Sequence, residues 1–501
     1  MDWIRRKETW LAVAAGILAA LSLPGFGAAP LVFVAWVPLF VALGRAQRAR
    51  QGFGLGVLFG LALFAVDVRW VIAVARFNPL ALAGYPILIA YLALPFGLVG
   101  ALMTWRADRV PRWTWLLLAP ALVVLAEAVR TVGTLGMGFS MLHQALYRVP
   151  WLIQSAAVFG SWTVTAFVVA INVALYLAWR ERRALRHRAL RYGLVAVGLL
   201  LLQAAFAWFS AGPSPEAASL DVAVVSSNVD QQVKLDARNL GTLTDRFLAL
   251  ADRAIETEPD LVVFPESFLP AYILDTPDVF DRLADVARRG DARLLFGTGT
   301  YRDGGIYNSV ALVDAEGEVL GLYDMVRPVP FGEYVPGRGV LEAIGLGSWA
   351  RAVLPLDLSR GSSYLPLDGI GTPICFESTF PTASRRLVRS GARLLVTVTN
   401  DAWFDGTSEL YAHFASAVFR AVETRRTIVQ AANGGISGFV DARGRIVSET
   451  PDETVLAASV RLSDRRSSYV RWGDIPLLVV MGCMATGHAL WRLRRPTETR
   501  E

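Results

Sequence analysis

The most constraining feature of this chain is a series of long apolar segments, which fills the first 211 residues and returns once near residue 475. Hydrophobic residues make up 54% of the 501 residues and charged residues only 18%, a balance too apolar for an ordinary soluble protein. A helix needs roughly 20 residues to cross the hydrocarbon core, and eight segments approach or exceed that length. The sequence therefore predicts an α-helical membrane bundle of about eight transmembrane helices. The segments are Trp10–Gly27, Pro30–Leu43, Phe53–Val74, Leu80–Trp105, Trp113–Val129, Trp151–Trp179, Leu194–Phe209 and Ile475–Leu490.

Some of these segments admit other interpretations. The second, fifth, seventh and eighth are shorter than a full crossing, so each could instead be a buried or re-entrant helix. The first could be a signal peptide, since small residues follow it. The further apolar segments that follow at once favour a membrane-spanning helix.

The distribution of arginine orients the segments. Basic clusters alternate with loops that carry few charges, and cytoplasmic loops are the ones that retain Lys and Arg. We therefore expect both termini in the cytoplasm and residues 212–472 on the outer side of the membrane. These arginines also explain the pI near 9.5, so a nucleic-acid partner is not expected. The clusters are Arg5-Arg6-Lys7, Arg45/Arg48/Arg50, Arg106/Arg109/Arg112, Arg180–Arg191 and Arg492/Arg494/Arg495.

Between the seventh and eighth segments the chain has the composition of a water-soluble domain. Strand-like and helix-like runs alternate there, which predicts a layered α/β sandwich with helices outside. We thus expect a membrane domain at 1–211, an extracytoplasmic domain at 212–472, and an eighth helix with a cytoplasmic tail at 473–501. The predicted strands are Leu220–Ser226, Asp260–Phe264, Arg293–Gly297, Asn308–Val313, Val319–Tyr323, one ending at Pro373–Phe376, Leu394–Val398, Thr427–Ala432, Gly438–Asp441 and Arg445–Glu449.

The soluble part carries a single thiol, Cys375, and a carboxylic acid, Glu266, each just after an apolar run. A thiol and a carboxylate at strand ends are the components of a nucleophile and its base. The other cysteine, Cys483, lies in the last membrane segment, so we do not expect the two to pair. The alternative for Cys375 is an inert cysteine on a core strand.

Several motifs give the chain a family resemblance. The chain resembles the apolipoprotein N-acyltransferases of the bacterial inner membrane, over essentially its whole length. Members of that family have an eight-helix membrane domain and an outward-facing nitrilase-type domain, which agrees with the topology expected from the charges. The motifs are Phe-Pro-Glu-Ser (264–267), Val-Pro-Phe-Gly-Glu-Tyr-Val-Pro (329–336), Ile-Cys-Phe-Glu (374–377), Asn-Asp-Ala-Trp-Phe (400–404), His413 with Arg-Ala-Val-Glu-Thr-Arg-Arg (420–426), Ala-Asn-Gly-Gly-Ile-Ser (432–437) and Pro-Trp-Leu-Ile-Gln-Ser-Ala-Ala-Val-Phe-Gly (150–160).

The resemblance implies a reaction. An acyl chain moves from a phospholipid to the enzyme's cysteine as a thioester, and then to the α-amino group of a diacylglyceryl-cysteine at a lipoprotein's N-terminus. By position, Cys375 matches the family nucleophile and Glu266 the general base. The resemblance implies no cofactor and no metal. It implies as partners the phospholipid donor, the diacylglyceryl apolipoproteins and the bilayer of the cytoplasmic membrane, with the catalytic domain facing the periplasm.

Other positions match residues around the reacting pair. Glu333 and Glu377 match carboxylates that support it, and the alternative for both is a surface or salt-bridged carboxylate. Asn400 and Trp403 are candidates for substrate binding or for a lid, and the alternative, shared by Asp401, is packing in a turn. Leu235 stands where relatives often carry Trp, a difference that concerns lipid contact more than chemistry.

One departure from the family concerns a lysine. The family uses Glu, Lys and Cys together, and the lysine position is Met325 in this chain. The two lysines present are Lys7, placed in the cytoplasm, and Lys234, which does not match the family position. Losing one oxyanion donor typically costs about 10²–10³ in rate.

Arg327 is the nearest substitute for the missing lysine, because residues 325 and 327 of an extended strand project to the same face. A guanidinium is, however, a bulky fork rather than a point charge. If Arg327 has not taken over the role, we expect Met325→Lys to raise the rate. Two alternatives stay open: a weakly active or non-catalytic relative that binds lipoprotein or phospholipid, and a membrane-tethered nitrilase-like amidase.

The charge pattern makes a testable prediction about topology. A reporter that is active only in the periplasm, fused after Pro215, should be active, because seven crossings place this point outside. Fusion of the same reporter after Arg183 should give no activity. A cytoplasm-only reporter active after Pro215 would contradict the topology.

Overall fold

The computed structural model describes residues 7–183, 185–209, 218–404 and 406–494. The described residues leave out the predicted boundary at 211/212, the fusion point Pro215, and the arginines Arg5, Arg6 and Arg495.

The chain divides into two compact units, Met1–Gly212 with Trp472–Glu501 and Pro213–Arg471. The helices are α1 Lys7–Ser22, α2 Val37–Arg45, α3 Ala49–Asp67, α4 Val71–Val74, α5 Leu80–Thr104, α6 Trp115–Arg130, α7 Ala156–Phe159, α8 Trp162–Glu181, α9 Arg186–Phe209, α10 Gln231–Leu235, α11 Leu240–Ile255, α12 Pro277–Gly290, α13 Arg338–Ala343, α14 Gly347–Val353, α15 Pro381–Arg389, α16 Glu409–Thr424, α17 Ser468–Trp472 and α18 Ile475–Arg494. The strands are β1 Ser219–Ser226, β2 Leu261–Val263, β3 Arg293–Arg302, β4 Gly305–Val313, β5 Val319–Asp324, β6 Ile370–Gly371, β7 Leu394–Asn400, β8 Ile428–Asn433, β9 Ser437–Val440, β10 Ile446–Thr450 and β11 Thr454–Arg461.

The first unit is helical, and the predicted membrane bundle is confirmed in outline. Six helical stretches among the described residues are long and apolar enough to cross a membrane. The two remaining predicted segments coincide with α1, of 16 residues, and with the shorter apolar stretch Ala29–Arg45. The prediction for Trp151–Trp179 was wrong in its start, because Gly160, with φ of 86°, ends α7 and α8 begins only at Trp162. The six stretches are Ala49–Val74, Leu80–Thr104, Arg112–Arg130, Trp162–Glu181, Arg186–Phe209 and Ile475–Arg494.

Helices α3 and α5 approach each other closely along a row of glycines. Gly52, Gly56 and Gly60 recur every four residues and therefore share one face of α3. A Cβ atom added at Gly56 would lie 2.0 Å from the main-chain oxygen of Phe96 on α5. In a membrane, where helices gain little from burying apolar surface against each other, such small residues allow the backbones to make dense van der Waals contact.

Buried polar side chains tie the loops of this unit to its helices. On α6, Glu127 accepts hydrogen bonds from the main-chain N–H of Leu142 at 2.8 Å and from the hydroxyl of Thr165 at 2.8 Å. Arg130, one turn further, donates to the main-chain oxygens of Phe139 and Ser140. The connection between α6 and α7 is therefore held by charge-assisted hydrogen bonds.

The second unit is an α/β sandwich of two sheets, as predicted. One sheet has six strands in the order β11-β1-β2-β3-β4-β5, and the other has five in the order β10-β9-β8-β7-β6. Strands β1, β2 and β3 are parallel, and so are β6, β7 and β8. Helices α11 and α12 cover the first sheet and its flank, α15 and α16 cover the second, and β1 contacts β8 across the sandwich.

Some strands differ from their predicted extents. The strand predicted to end at Pro373–Phe376 stops at Gly371, and β3 continues to Arg302 because its hairpin with β4 extends both strands. The edge strand β11 was not predicted. It pairs antiparallel with β1 over its whole length, although its Ala-Ala-Ser centre has weak strand propensity.

An aromatic cluster fixes the segment that follows β2. The ring of Phe268 stacks on that of Phe264 with centroids 4.9 Å apart, and meets Phe247 of α11 edge-on at 4.8 Å. All three side chains are buried in the core between the first sheet and its helices. Aromatic pairs of this kind add about 0.5–1.5 kcal/mol each beyond burial, so the chain around residues 265–267 is held firmly.

The glycine row predicts a strongly position-dependent effect of a single methyl group. Gly56→Ala should lower the thermal stability of the detergent-solubilised protein, because the new Cβ would overlap backbone, at a cost of about 1–3 kcal/mol. Gly54→Ala on the same helix is the matched control, since a Cβ there meets nothing within 4 Å. Equal melting temperatures for the two variants would contradict the close approach of α3 and α5.

Candidate active site

The carboxyl ends of the parallel strands of both sheets meet at one edge of the sandwich. Glu266 follows β2 by three residues, and Asn400 is the last residue of β7. A parallel bridge between Ser227 and Asn433 joins the end of β1 to the end of β8, and so joins the two sheets. Because loops beyond strand ends carry functional groups, this junction is where a site is expected.

Glu266 connects the two sheets through its carboxylate. Its Oε2 accepts the main-chain N–H of Asn400 at 2.8 Å, and its Oε1 accepts Nδ2 of Asn308 at 2.6 Å. The side chain is buried, and burial raises the pKa of Glu266, while the hydrogen bond from Asn308 and the charge of Lys234 oppose that rise. A carboxyl with a raised pKa that is still held by donors suits a general base.

Cys375 lies opposite Glu266 in an unusual backbone conformation. It has φ of 44° and begins a short 3-10 helix, Cys375–Thr379, rather than lying on a strand. Non-glycine residues in the left-handed region cluster at functional sites. The residue is partly exposed, and its thiol lies near enough to Glu266 for each group to shift the pKa of the other. Burial, and next the charge of Glu266, raise the pKa of Cys375 well above its ordinary value, so the thiol is neutral at rest and needs a base to react.

Glu333 and Glu377 both lie in this site, Glu333 partly buried and Glu377 fully buried. Glu333 accepts Nδ2 of Asn308 at 3.0 Å and the main-chain N–H of Val329 at 2.7 Å. Burial raises its pKa to about 7, and the charge of Glu266 acts in the same direction. Since Asn308 donates to Glu266 and to Glu333, one amide group holds both carboxyls.

Glu377 supports the segment around Cys375 from the other side. It accepts the hydroxyl of Tyr323 at 2.7 Å, the main-chain N–H of Val326 at 3.0 Å and that of Ile374 at 3.3 Å. Burial raises the pKa of Glu377 to about 7, against the lowering effect of these hydrogen bonds. The carboxyl therefore fixes the residue before Cys375 to the loop that follows β5.

Lys234, set aside in the sequence analysis, lies in this site. Its Nζ donates to the main-chain oxygen of Glu266 at 3.0 Å, and the side chain is only 5% exposed. Burial lowers the pKa of Lys234 to about 8, against the opposing effects of Glu266 and Cys375. The five-residue helix α10 is inverted in polarity: Gln231 and Lys234 are buried, while Val233 and Leu235 are exposed. That inversion is visible only in the folded chain, so the sequence offered no signal for Lys234.

His413 fixes the main chain at Cys375. Its Nε2 donates to the main-chain oxygen of Cys375 at 3.0 Å, and its Nδ1 lies 2.8 Å from Oδ1 of Asp401. Burial disfavours the imidazolium, but Asp401 and Glu409 outweigh burial and raise the pKa of His413 to about 9.

Asp401, Glu409 and His413 form a cluster of side chains whose spacing could hold a metal ion. Their ligand atoms lie within 4.8 Å of one another among the described residues. In this arrangement Nε2 of His413 faces a carbonyl, which can only accept, so that nitrogen carries a proton and has no lone pair to offer. An imidazolium between carboxylates accounts for Asp401, Glu409 and His413 without a metal ion.

Asn400 and Trp403, the candidates for substrate binding or for a lid, differ in their burial. Asn400 is buried, and its side chain donates to Gln231 at 2.8 Å and accepts from Asn433 at 2.9 Å. It is therefore part of the junction between the sheets, since strand β7 ends there. Trp403 lies in the 3-10 helix Asp401–Phe404 and is partly exposed.

Comparison with known proteins now decides the family. Residues 15–174 match the family described as apolipoprotein N-acyltransferase N-terminal domain, and residues 222–469 match carbon-nitrogen hydrolase. The apolipoprotein N-acyltransferase of Geobacter metallireducens is 34% identical, over 95% of this chain and 93% of that protein. That of Sinorhizobium medicae is 34% identical over 88% of this chain and 87% of that protein. This chain belongs to the apolipoprotein N-acyltransferase family.

The family is one of acyltransferases with a nitrilase-like domain and transmembrane helices, so the predicted class of enzyme is confirmed. Among solved structures, an amidase from Nesterenkonia sp. AN1 aligns over 53% of this chain and 98% of that chain, with 20% identity and a TM-score of 0.38.

Position 325, where the family resemblance implies a lysine, carries a buried thioether. Met325 is 1% exposed, and its Sδ lies 3.8 Å from Nδ2 of Asn308. Strand β5 ends at Asp324, so the expectation that Met325 and Arg327 share one strand face was wrong. The guanidinium of Arg327 lies over the ring of Phe380, 3.6 Å from its centroid, and this cation–π contact engages it there.

The pKa of His413 predicts a pH-dependent stability. A pKa raised from 6.5 to about 9 on folding contributes stability that is complete below pH 6.5 and is lost as the pH rises through 9. The contribution is on the order of a few kcal/mol. The melting temperature of His413→Gln should therefore fall furthest below wild type near pH 6, and the gap should narrow toward pH 9.5.

The exposed His187 offers a matched control, because His187→Gln should track wild type at every pH. A gap between His413→Gln and wild type that stays constant from pH 6 to pH 9.5 would show that His413 is not an imidazolium in the folded protein.

Proposed function

We propose that this protein transfers an acyl chain from a phospholipid to the N-terminal amine of a diacylglyceryl-cysteine lipoprotein, through a thioester on Cys375. The observation that carries the proposal is the placement of the buried Glu266 carboxyl near Cys375, where its charge raises the pKa of the thiol. This placement pairs a nucleophile with a base. The chain also belongs to a family that is named for this acylation.

The first half-reaction would use the two side chains directly. Glu266 takes the proton of the Cys375 thiol, and the thiolate attacks the ester carbonyl of the phospholipid. A carbon–sulfur bond forms, the ester carbon–oxygen bond breaks, and Glu266 returns the proton to the departing alcohol of the lysophospholipid. A thiolate suits this step because its thioester is readily attacked by an amine.

The second half-reaction reverses the proton's path. The lipoprotein's α-amino group attacks the thioester carbon, and Glu266 accepts the proton that the amine loses. The carbon–sulfur bond breaks as the amide forms, and the proton goes back to the Cys375 sulfur. The cycle closes with no cofactor.

Exposed apolar side chains that follow Glu333 in the sequence support a lipid substrate. Residues 338–356, which follow Glu333, form α13, α14 and their connections and expose several large apolar side chains to solvent. A soluble protein seldom leaves such a group uncovered without a use for it. The exposed side chains are Val340, Ile344, Leu346, Trp349 and Leu356.

The membrane helices favour this function over a membrane-tethered amidase, because a small soluble amide would not need them. We also propose that residues 212–472 face the periplasm from the cytoplasmic membrane. The alternation of basic and nearly uncharged loops supports this orientation, and an outward site would meet lipoproteins after their export.

The proposal predicts that only one of the two cysteines carries the acyl group. Purified protein mixed with phospholipid should form a hydroxylamine-sensitive acyl adduct, and Cys375→Ser should abolish it. Cys483→Ser is the control and should leave the adduct intact, since Cys483 lies in α18. Mass spectrometry of the intact protein measures the adduct. An undiminished adduct in Cys375→Ser would rule out the proposed nucleophile.

A further inference from the structure

We propose that Lys234 supplies the positive charge of the reacting site, in place of a cation at position 325, and that its ammonium favours the ionised forms of Glu266 and Cys375. This inference rests on the proposed use of Cys375 as the nucleophile. It assigns to α10 a role in the electrostatics of the site.

The first support is the placement of the ammonium. Nζ of Lys234 lies 3.0 Å from the main-chain oxygen of Glu266, and the side chain is 5% exposed. A buried ammonium is expensive unless opposite charge compensates for the lost water. Glu266 is the neighbouring carboxyl, and Cys375 is the other group whose ionisation the ammonium senses.

The second support is the local geometry that leads Lys234 inward. The side chain of Asp230 accepts the main-chain N–H of Gln232 at 2.7 Å and so caps α10. Gln231 and Lys234, three residues apart, then share one face of the helix. Gln231 accepts a hydrogen bond from Asn400, whose main-chain N–H binds Glu266. The helix is thus docked on the site by the residue beside the general base.

The third support is the composition of the rest of the site. The side chain of Met325 contacts Asn308, the amide that donates to Glu266, but its thioether carries no charge. The guanidinium of Arg327 lies against Phe380. Lys234 therefore provides a positive charge at Glu266 that Met325 cannot provide.

The charges around the nucleophile make such a cation necessary. Glu266, Asp401 and Glu333 each raise the pKa of Cys375, in addition to burial. His413 offsets Asp401, with which it pairs at 2.8 Å. An ammonium beside Glu266 offsets the remaining negative charge as the thiol loses its proton, and a nearby opposite charge typically lowers the pKa of an acid by about 1–3 units. The groups that face Lys234 itself are Glu266 and Cys375.

The direct test is the pH dependence of Cys375 alkylation by iodoacetamide. Full-length protein carrying Cys483→Ser has one thiol, because the chain has two cysteines. In this background, Lys234→Met should move the alkylation midpoint to higher pH by about 1–3 units. Lys234→Arg should keep it closer to wild type, because the charge is retained. Lys7→Met removes the only other lysine and should change nothing. An unshifted midpoint in Lys234→Met would overturn the inference.

A second measurement leaves Lys234 in place, in case Lys234→Met does not fold. Protein labelled with [ε-13C]lysine has two lysine signals, and Lys7→Met identifies the one from Lys234. Its titration should have a midpoint near 8, and Glu266→Gln should lower that midpoint, because the carboxylate that stabilises the ammonium is gone. A midpoint that Glu266→Gln does not change would overturn the inference.

A third measurement uses position 325. Lys234→Met should reduce the rate of thioester formation with phospholipid by about 10²-fold or more. Met325→Lys should restore part of that rate in the Lys234→Met background but add little to wild type, because one cation already serves the site. Equal gains in both backgrounds would show that the two positions act independently and would overturn the inference.

The alkylation and lysine titrations require no lipid, so they separate this inference from the proposed function. If phospholipid acylates nothing in wild type while Lys234→Met still shifts the alkylation midpoint, the proposed function fails and the role of Lys234 stands. If the thioester forms but the midpoint does not shift, the role of Lys234 fails alone.

Discussion

The hydrogen bond from the main-chain N–H of Asn400 to the carboxylate of Glu266 is the contact on which the site depends. Asn400 ends a strand of one sheet and Glu266 follows a strand of the other. Because the donor is backbone, its position is set by the strand ladder rather than by a mobile side chain. The side chain of Asn400 also binds Asn433, which bridges to Ser227. The relative position of the two sheets therefore fixes the position of the Glu266 carboxylate.

The parts of this architecture that the sequence predicted are those encoded in local patterns. Apolar length identified the membrane helices, and an apolar run followed by polar residues identified the strand end that Glu266 follows. Cys375 instead begins a 3-10 helix, because the strand before it stops at Gly371. The edge strand β11 was missed because its pairing with β1 joins residues more than two hundred positions apart. Local propensity cannot report such a partner when the strand contains Ala-Ala-Ser.

The electrostatic partners of the site were harder to foresee for the same reason. Asn308 lies in the mostly apolar strand β4, and only the folded chain shows that it holds two carboxyl groups. Lys234 lies more than thirty residues before Glu266, on a helix of five residues. Its position in the motif made Arg327 the predicted substitute for the cation, whereas the fold brings Lys234 to the site from another part of the chain. Chemistry that depends on charge balance is thus specified by tertiary structure.

The left-handed backbone at Cys375 restricts which residue types this position can hold. Side chains branched at Cβ are poorly tolerated at positive φ, so threonine would strain the loop that serine would fit. The carbonyl of Cys375 is also held by His413, so the loop cannot easily relax to a more ordinary conformation. A relative with this fold could therefore replace the cysteine with serine but not with threonine. The reason is the shape of the backbone rather than the reactivity of the side chain.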